Sequence, residues 1–186
     1  MKKVLLLVGF ALVVGGCSGK NAAVHHADIV QKEASRLSAP SKSLSSYGNF
    51  ELKKMVVAKE LSTREEKAET IKVLESKISE KLTPLLAEWK KNGAGKSGTL
   101  YVIPELHELR IISGGARFWA GGLAGDSNID MNLKLVDAET GAEVAKPRLS
   151  LKSGGMMGGW SVGATDRNLL GYIADVSHEY LKNNYK

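Results

Sequence analysis

Ile129-Asp130-Met131-Asn132-Leu133-Lys134-Leu135 decides how this chain folds. Apolar and polar residues alternate strictly along it, the period of a strand with one face buried and one face wet. Asp137 to Gly141 then reads as a turn, and Ala142 to Lys152 as the hairpin partner that returns. Upstream, Thr99 to Ile112 reads as a long strand. Pro104 lies within it and lacks an N–H, which predicts an interruption with an edge position or a bulge. Downstream, Leu169, Ile173, Val176 and Tyr180 form the apolar face of a helix from about Thr165 to Lys182.

The first half supplies one strand and one long helix. Phe50 to Lys59 contains Met55-Val56-Val57-Ala58 and reads as a buried strand. Ser62-Thr63 followed by Glu65 and Glu66 predicts a helix start, with hydroxyl caps and acids in the first turn. Apolar residues recur at Ile71, Leu74, Ile78, Leu82, Leu85 and Trp89, in steps that keep all of them on one face. Pro84 removes one backbone donor, so a kink or restart is expected there, with Thr83 as a cap. Lys90 and Lys91 suit the C-terminal end of the helix dipole, and Gly93 suits its stop. The order is β-α-β-β-β-α. It predicts an α+β domain with a mixed sheet and helices packed on one face. A parallel first β-α-β connection should be right-handed.

The N-terminus reads differently. Met1-Lys2-Lys3 precedes an apolar run from Val4 to Val14, and Gly15-Gly16-Cys17 follows. Basic residues, a short apolar stretch and small residues are the layout of a secretory signal peptide. The run is too short to span a bilayer, which needs about 20 apolar residues. It has no polar face either, unlike a surface helix of a soluble domain. Val14-Gly15-Gly16-Cys17 resembles the lipobox of bacterial lipoproteins. The resemblance implies cleavage before Cys17, a lipid thioether on it and acylation of the new amino group. An ordinary signal peptide with an incidental cysteine is the plainer alternative. By that family's sorting pattern, Ser18 in place of Asp implies the outer membrane, given a Gram-negative source. One acyl chain holds only marginally, whereas lipoproteins of this type carry two or three.

Three segments are therefore expected: a signal peptide over 1–16, a lipidated N-terminus and flexible tether over 17–46, and a periplasmic α+β domain over 47–186. Ser18 to Ser46 is rich in Ser, Ala and Lys, and a short helix near Asp28 to Leu37 is the structure expected there.

Loss of the first 16 of 186 residues leaves enough chain for one domain with a core. Cys17 is the sole cysteine, so no internal disulfide can form and stability must come from packing. The formal charge of +6 is uneven: Lys20 to Lys96 holds 15 basic and 10 acidic residues, and Ser97 to Lys186 holds 9 and 10. A basic half can attract acidic surfaces such as lipid headgroups. Solvated lysines along one helix are the plainer reading. No nucleic-acid-binding motif is present.

Two glycine-rich loops carry apolar residues. One runs from Ser113 to Gly125 and holds Arg117, Phe118 and Trp119; the other runs from Ser153 to Trp160 and holds Met156 and Met157. Exposed together, these side chains would form a patch suited to a partner or a membrane. Tucked inward, they would leave only tight turns. Gly115-Ala116-Arg117, then Gly121 to Ser127, the alternating strand, Val136-Asp137, Thr140-Gly141 and a Gly-Gly loop before the last helix resemble a family of bacterial lipoproteins of unknown function. The resemblance covers roughly Ser45 to Leu181. It implies an α/β domain of the kind found in envelope and secretion lipoproteins, and it supplies no activity. The short hairpins depart from the long amphipathic segments of pore-forming relatives.

Chemical motifs are weak. Gly93 to Ser97 lacks the first glycine of a phosphate loop, since Lys90 stands there. Gly159-Trp160-Ser161-Val162-Gly163 fits a nucleophile elbow, with Asp175 and His178 later in order. Those two lie three apart on one helix and would point the same way, which does not make a relay. Asp126 to Asp137 lacks the glycine of a calcium loop, since Met131 occupies that position. His25-His26, His107 and His178 lack metal-ligand spacing and read as surface histidines.

The expected protein is a non-enzymatic outer-membrane lipoprotein without cofactor or metal. It would bind envelope proteins or further copies of itself through Arg117, Phe118, Trp119, Met156, Met157 and Trp160. A small serine hydrolase using Ser161, and peptidoglycan or anionic-lipid binding through the basic helix, are the alternatives.

Overall fold

The computed structural model describes residues 18–112, 127–152 and 165–186. In chain order the elements are α1 (Ser18–Ser35), β1 (Asn49–Leu52), β2 (Val56–Val57), α2 (Lys59–Ser62), α3 (Glu65–Asn92), β3 (Thr99–Arg110), β4 (Asn128–Asp137), β5 (Glu143–Ala145), β6 (Arg148–Lys152) and α4 (Thr165–Asn184). The alternating stretch lies in β4, and Ile129, Met131, Leu133 and Leu135 are all fully buried. Burying a side chain of this size contributes about 1.5–3 kcal/mol. β4 pairs antiparallel with β3 on one side and with β5 and β6 on the other. β3 pairs parallel with β1 and β2. The chain is thus one α+β domain, a mixed six-stranded sheet with helices packed against it.

Two sequence expectations about the strands change. β3 runs unbroken through Pro104 at the centre of the sheet, and the neighbouring strand is what breaks. Lys53 N donates to Val102 O at 2.9 Å, and Ala58 N donates to Leu106 O at 2.9 Å. Even-numbered residues of this stretch therefore turn their backbone groups toward β1 and β2. The N–H that Pro104 lacks falls opposite the gap between Leu52 and Val56. Phe50 to Lys59 is consequently two short pieces instead of one buried strand, and Val56 is 54% exposed. The anticipated bulge does occur, three residues further on. A register shift between Leu106 and Glu108 inserts His107, after which Leu109 returns to the buried face.

The hairpin turn uses Asp137 as its acceptor. Its Oδ1 accepts the N–H groups of Glu139 and Thr140, both at 3.1 Å, and Gly141 adopts φ +71. The returning segment is split at Lys146-Pro147 into β5 and β6.

α3 buries Leu74, Ile78, Leu82, Leu85 and Trp89 along the face that the spacing predicts, with Leu86 beside them. The hydroxyl caps are not used. Arg64 is the N-cap, and Ser62 Oγ donates to Lys59 O within α2. Nor does the helix restart at Pro84. The carbonyl that Pro84 leaves unbonded belongs to Glu80 on the exposed side, where water can satisfy it. Thr83 Oγ1 lies 3.2 Å from Ser79 Oγ inside the helix. Gly93 caps the C-terminus, its N–H bonding Trp89 O at 2.8 Å. Beside it, a Cβ on Gly48 would sit 2.0 Å from Lys96 O, so only glycine fits that crossing.

The segment expected to be a flexible tether is largely packed. α1 spans Ser18–Ser35 and is longer than the short helix anticipated. Val30 and Ala34 are buried, as are Leu44 and Tyr47 beyond the helix. Tyr180 Oη donates to Ser38 O at 2.9 Å, and Ser41 N donates to Val144 O at 2.9 Å. His26 meets Asp175 and Gln31 meets Asn183, so α1 and α4 run parallel.

Candidate functional site

The residues expected to make partner contacts, Arg117, Phe118, Trp119, Met156, Met157 and Trp160, lie outside the described residues, as do Cys17 and Ser161. What the structure supplies is the place from which their loops spring. Arg110 pairs with Asn128, and Asn128 pairs with Lys152. Three strand ends therefore stand side by side. The first loop leaves after β3 and returns at β4; the second leaves after β6 and returns at α4. Both glycine loops are rooted at one end of the sheet.

A buried hydrogen bond closes the base of the first loop. Ile112 N–H donates to Ser127 Oγ at 2.8 Å. Ser127 is completely buried, and Ile112 is 7% exposed. The hydroxyl thus satisfies a backbone donor that the ladder no longer serves. Sequence reasoning missed Ser127. Its signal was a lone hydroxyl immediately before the alternating strand.

The helices share this polarity. Lys67, in the first turn of α3, donates from Nζ to Leu109 O near the end of β3. At the opposite end of the sheet, Tyr185 follows α4 and stacks on Trp89 at 4.1 Å, with Phe50 edge-on to Trp89 at 5.4 Å. α4 therefore runs from the loop end to the far end, and parallel α1 does the same.

The sheet face turned away from the helices carries matched charges. Arg148 Nε donates to Asp130 Oδ1 at 2.9 Å and to Oδ2 at 3.1 Å. That bond holds the Asp130 carboxyl below its ordinary range although burial opposes it. At Glu105 burial alone would raise the carboxyl, but the Lys146 ammonium at 2.8 Å outweighs it and leaves it lowered. His107 Nε2 lies 2.8 Å from the Asn132 amide nitrogen.

On the helical side, a cleft of about 460 Å3 is lined by His26, Asp28, Gln31, Lys81, Asp175, His178 and Glu179, among others. Asp175 and His178 share it, as their spacing on one helix requires. Asp175 is engaged by Lys81 Nζ at 2.7 Å and by His26 Nε2 at 3.0 Å. His26 therefore fastens α1 to α4, a role its place in an expected tether concealed. Burial, aided by the Lys182 charge, pulls the His178 imidazole below its ordinary value. Among the described residues no group of three or more His, Cys, Asp or Glu is arranged to hold a metal ion. No described helix is long and apolar enough to cross a membrane. The basic-helix expectation weakens as well, because α3 carries six lysines and six glutamates. Lys77 pairs with Glu80 at 3.0 Å, and Lys72 lies 4.0 Å from Glu69.

No known family model matches the chain, and no curated protein matches it. Solved structures offer distant likenesses. PelC of Paraburkholderia phytofirmans, crystallised as a dodecamer, is 15% identical with a TM-score of 0.46, over 78% of this chain and 95% of that one. A Xanthomonas campestris protein of the family DUF330 is 11% identical with a TM-score of 0.39, over 80% and 92%. A candidate lipoprotein from Caulobacter crescentus is 16% identical with a TM-score of 0.28, over 83% and 89%. At such scores the likeness is one of general shape.

Proposed function

We propose that this chain is a lipid-anchored protein of the bacterial outer membrane, attached through acylated Cys17, with its domain facing the periplasm. It acts by binding other envelope components, further copies of itself included, and not by catalysis. The contact surface is the loop end of the sheet, where Arg117, Phe118, Trp119, Met156, Met157 and Trp160 extend from adjacent roots. One observation supports this reading: the register Arg110 to Asn128 to Lys152 sets the roots of both glycine loops side by side. Separate loops at opposite ends could not form one patch; adjacent loops can. Two tryptophans and an arginine are also the residue types that dominate binding energy at protein interfaces.

The test is a Trp119→Ala, Trp160→Ala double variant, crosslinked in intact cells and compared with the unaltered protein. Loss of crosslinked species at unchanged folding and abundance is expected. An unaltered set of partners and oligomers would remove the loops from the proposal. Cys17→Ser should release the protein from the membrane fraction, and retention there would remove the anchor.

A further inference from the structure

We infer that the loop end of the sheet is the membrane-proximal end, held against the lipid headgroup surface by α1 acting as a strut. The inference rests on the proposed acylation of Cys17, and it identifies the bilayer surface as the first thing the loop end meets. Three observations on described residues lead to it.

First, α1 begins at Ser18, the residue directly after Cys17. One peptide unit, about 3.8 Å, separates the lipidated residue from the helix. Second, α1 is docked and has a direction. His26 meets Asp175, and Gln31 reaches Asn183 further along both helices. From His26 back to Ser18 is eight residues, about 12 Å of helix. From Asp175 back to Thr165 is ten residues, about 15 Å. Counted from either contact, the two helix starts emerge within about 8 Å of each other along the axis. Third, Thr165 closes the second glycine loop, whose other root at Lys152 lies in register with the roots of the first. The start of α1, the start of α4 and the roots of both loops thus share one end of the molecule.

The consequence is geometric. If residues 18–46 were an extended leash, the domain could stand on the order of 100 Å from the membrane in any orientation. A docked helix removes that slack. Anchoring then presents the loop end at high effective concentration to the surface, so even weak apolar insertion is realised. Arg64, Lys67, Arg110 and Lys152 at this end are offset by Glu60, Glu65, Glu66 and Glu108.

The experiment uses the full acylated protein in phosphatidylethanolamine–phosphatidylglycerol vesicles that contain an acceptor-labelled lipid. Cys17 is the sole native cysteine, and acylation leaves it without a thiol, so single-cysteine variants can be labelled cleanly. Glu66→Cys and Lys152→Cys report the loop end; Lys91→Cys and Glu139→Cys report the far end. All four positions are exposed. The ends are separated by the length of β3, twelve residues, or about 40 Å. Energy transfer to the lipid should be strong from 66 and 152 and weak from 91 and 139. A ten-residue Gly/Ser insertion between Cys17 and Ser18 should level the four. Equal transfer without the insertion, or a reversed order, overturns the orientation. Vesicle flotation reads the anchor separately. Protein that fails to float refutes the acylation reading and the orientation with it, whereas protein that floats with equal transfer refutes the orientation alone.

Discussion

Ser127→Ala should loosen the base of the first glycine loop by a measurable amount. In the folded chain Ser127 Oγ accepts the Ile112 N–H at 2.8 Å, and Ser127 is fully buried while Ile112 is nearly so. Alanine removes the acceptor and adds no bulk. The N–H is left in a place that water reaches poorly. Leaving a buried donor unpaired costs about 1–3 kcal/mol. In a chain of this size each kcal/mol moves the thermal midpoint by roughly 2–4 °C. Urea unfolding is the primary assay, and the slope should stay constant while the midpoint falls. Amide exchange at Ile112 is the local readout and should accelerate about tenfold for every 1.4 kcal/mol lost. Ser150→Ala, on the exposed side of β6, is the control and should stay within about 0.5 kcal/mol. If Ser127→Ala proved as neutral as the control, and Ile112 exchange did not change, this bond would not be what closes the loop. The same variant bears on function, since a loosened base should weaken crosslinking without altering any loop side chain.

Gly48→Ala should cost about 1–3 kcal/mol or more, because the new Cβ would meet the Lys96 carbonyl oxygen at 2.0 Å and backbone must shift; the urea midpoint reads it, and a neutral result would deny the close crossing. Stability should fall with acid in two windows. His178 has a depressed folded pKa, so the unfolded chain binds more protons as pH drops below about 6.5, and stability declines through that range. Asp130, Glu105 and Asp137 are also depressed, so the stability they contribute is present above about pH 4 and is lost as pH falls through their lower folded values. Urea midpoints measured against pH should show a shallow decline followed by a steeper one. His178→Gln should abolish the first, and Arg148→Met should move part of the second to higher pH.

Long periodic elements were legible in the sequence because their own period encodes which side is buried. β4, α3 and α4 each carry enough apolar positions that a register error would expose several of them at once. Features decided across the sheet or between distant elements were not legible. Pro104 fits a central strand only because β1 and β2 break opposite it, and no local rule reports a neighbour's gap. The full length of α1 and its docking escaped because its buried positions, Val30 and Ala34, are small and sit in a Ser/Ala/Lys-rich background. The spacing of Val30, Ala34 and Leu37 was the available signal that the short helix expected there packs on the domain.

The candidate site divides in the same way. Glycines and aromatics marked both loops, but the adjacency of their roots depends on the register of three strands whose pairing joins residues up to 37 apart. The meaning of the anchor depends on contacts longer still. His26 and Asp175 are 149 residues apart in sequence, and their contact is what docks α1 and gives it a direction. Without that contact Cys17 would be one end of a leash, and the loops could face anywhere. With it, the start of α1, the start of α4 and both loop bases belong to one end. Under the proposed anchoring, an apolar loop end and an acylated Cys17 would reinforce each other. On the proposed acylation of Cys17, the acyl chains would bring the loop end to the headgroups, and engagement there would keep α1 from being pulled off α4. Weakening the dock with Asp175→Asn should therefore matter more in vesicles than in solution, reducing the difference in energy transfer between the two ends while the urea midpoint moves little.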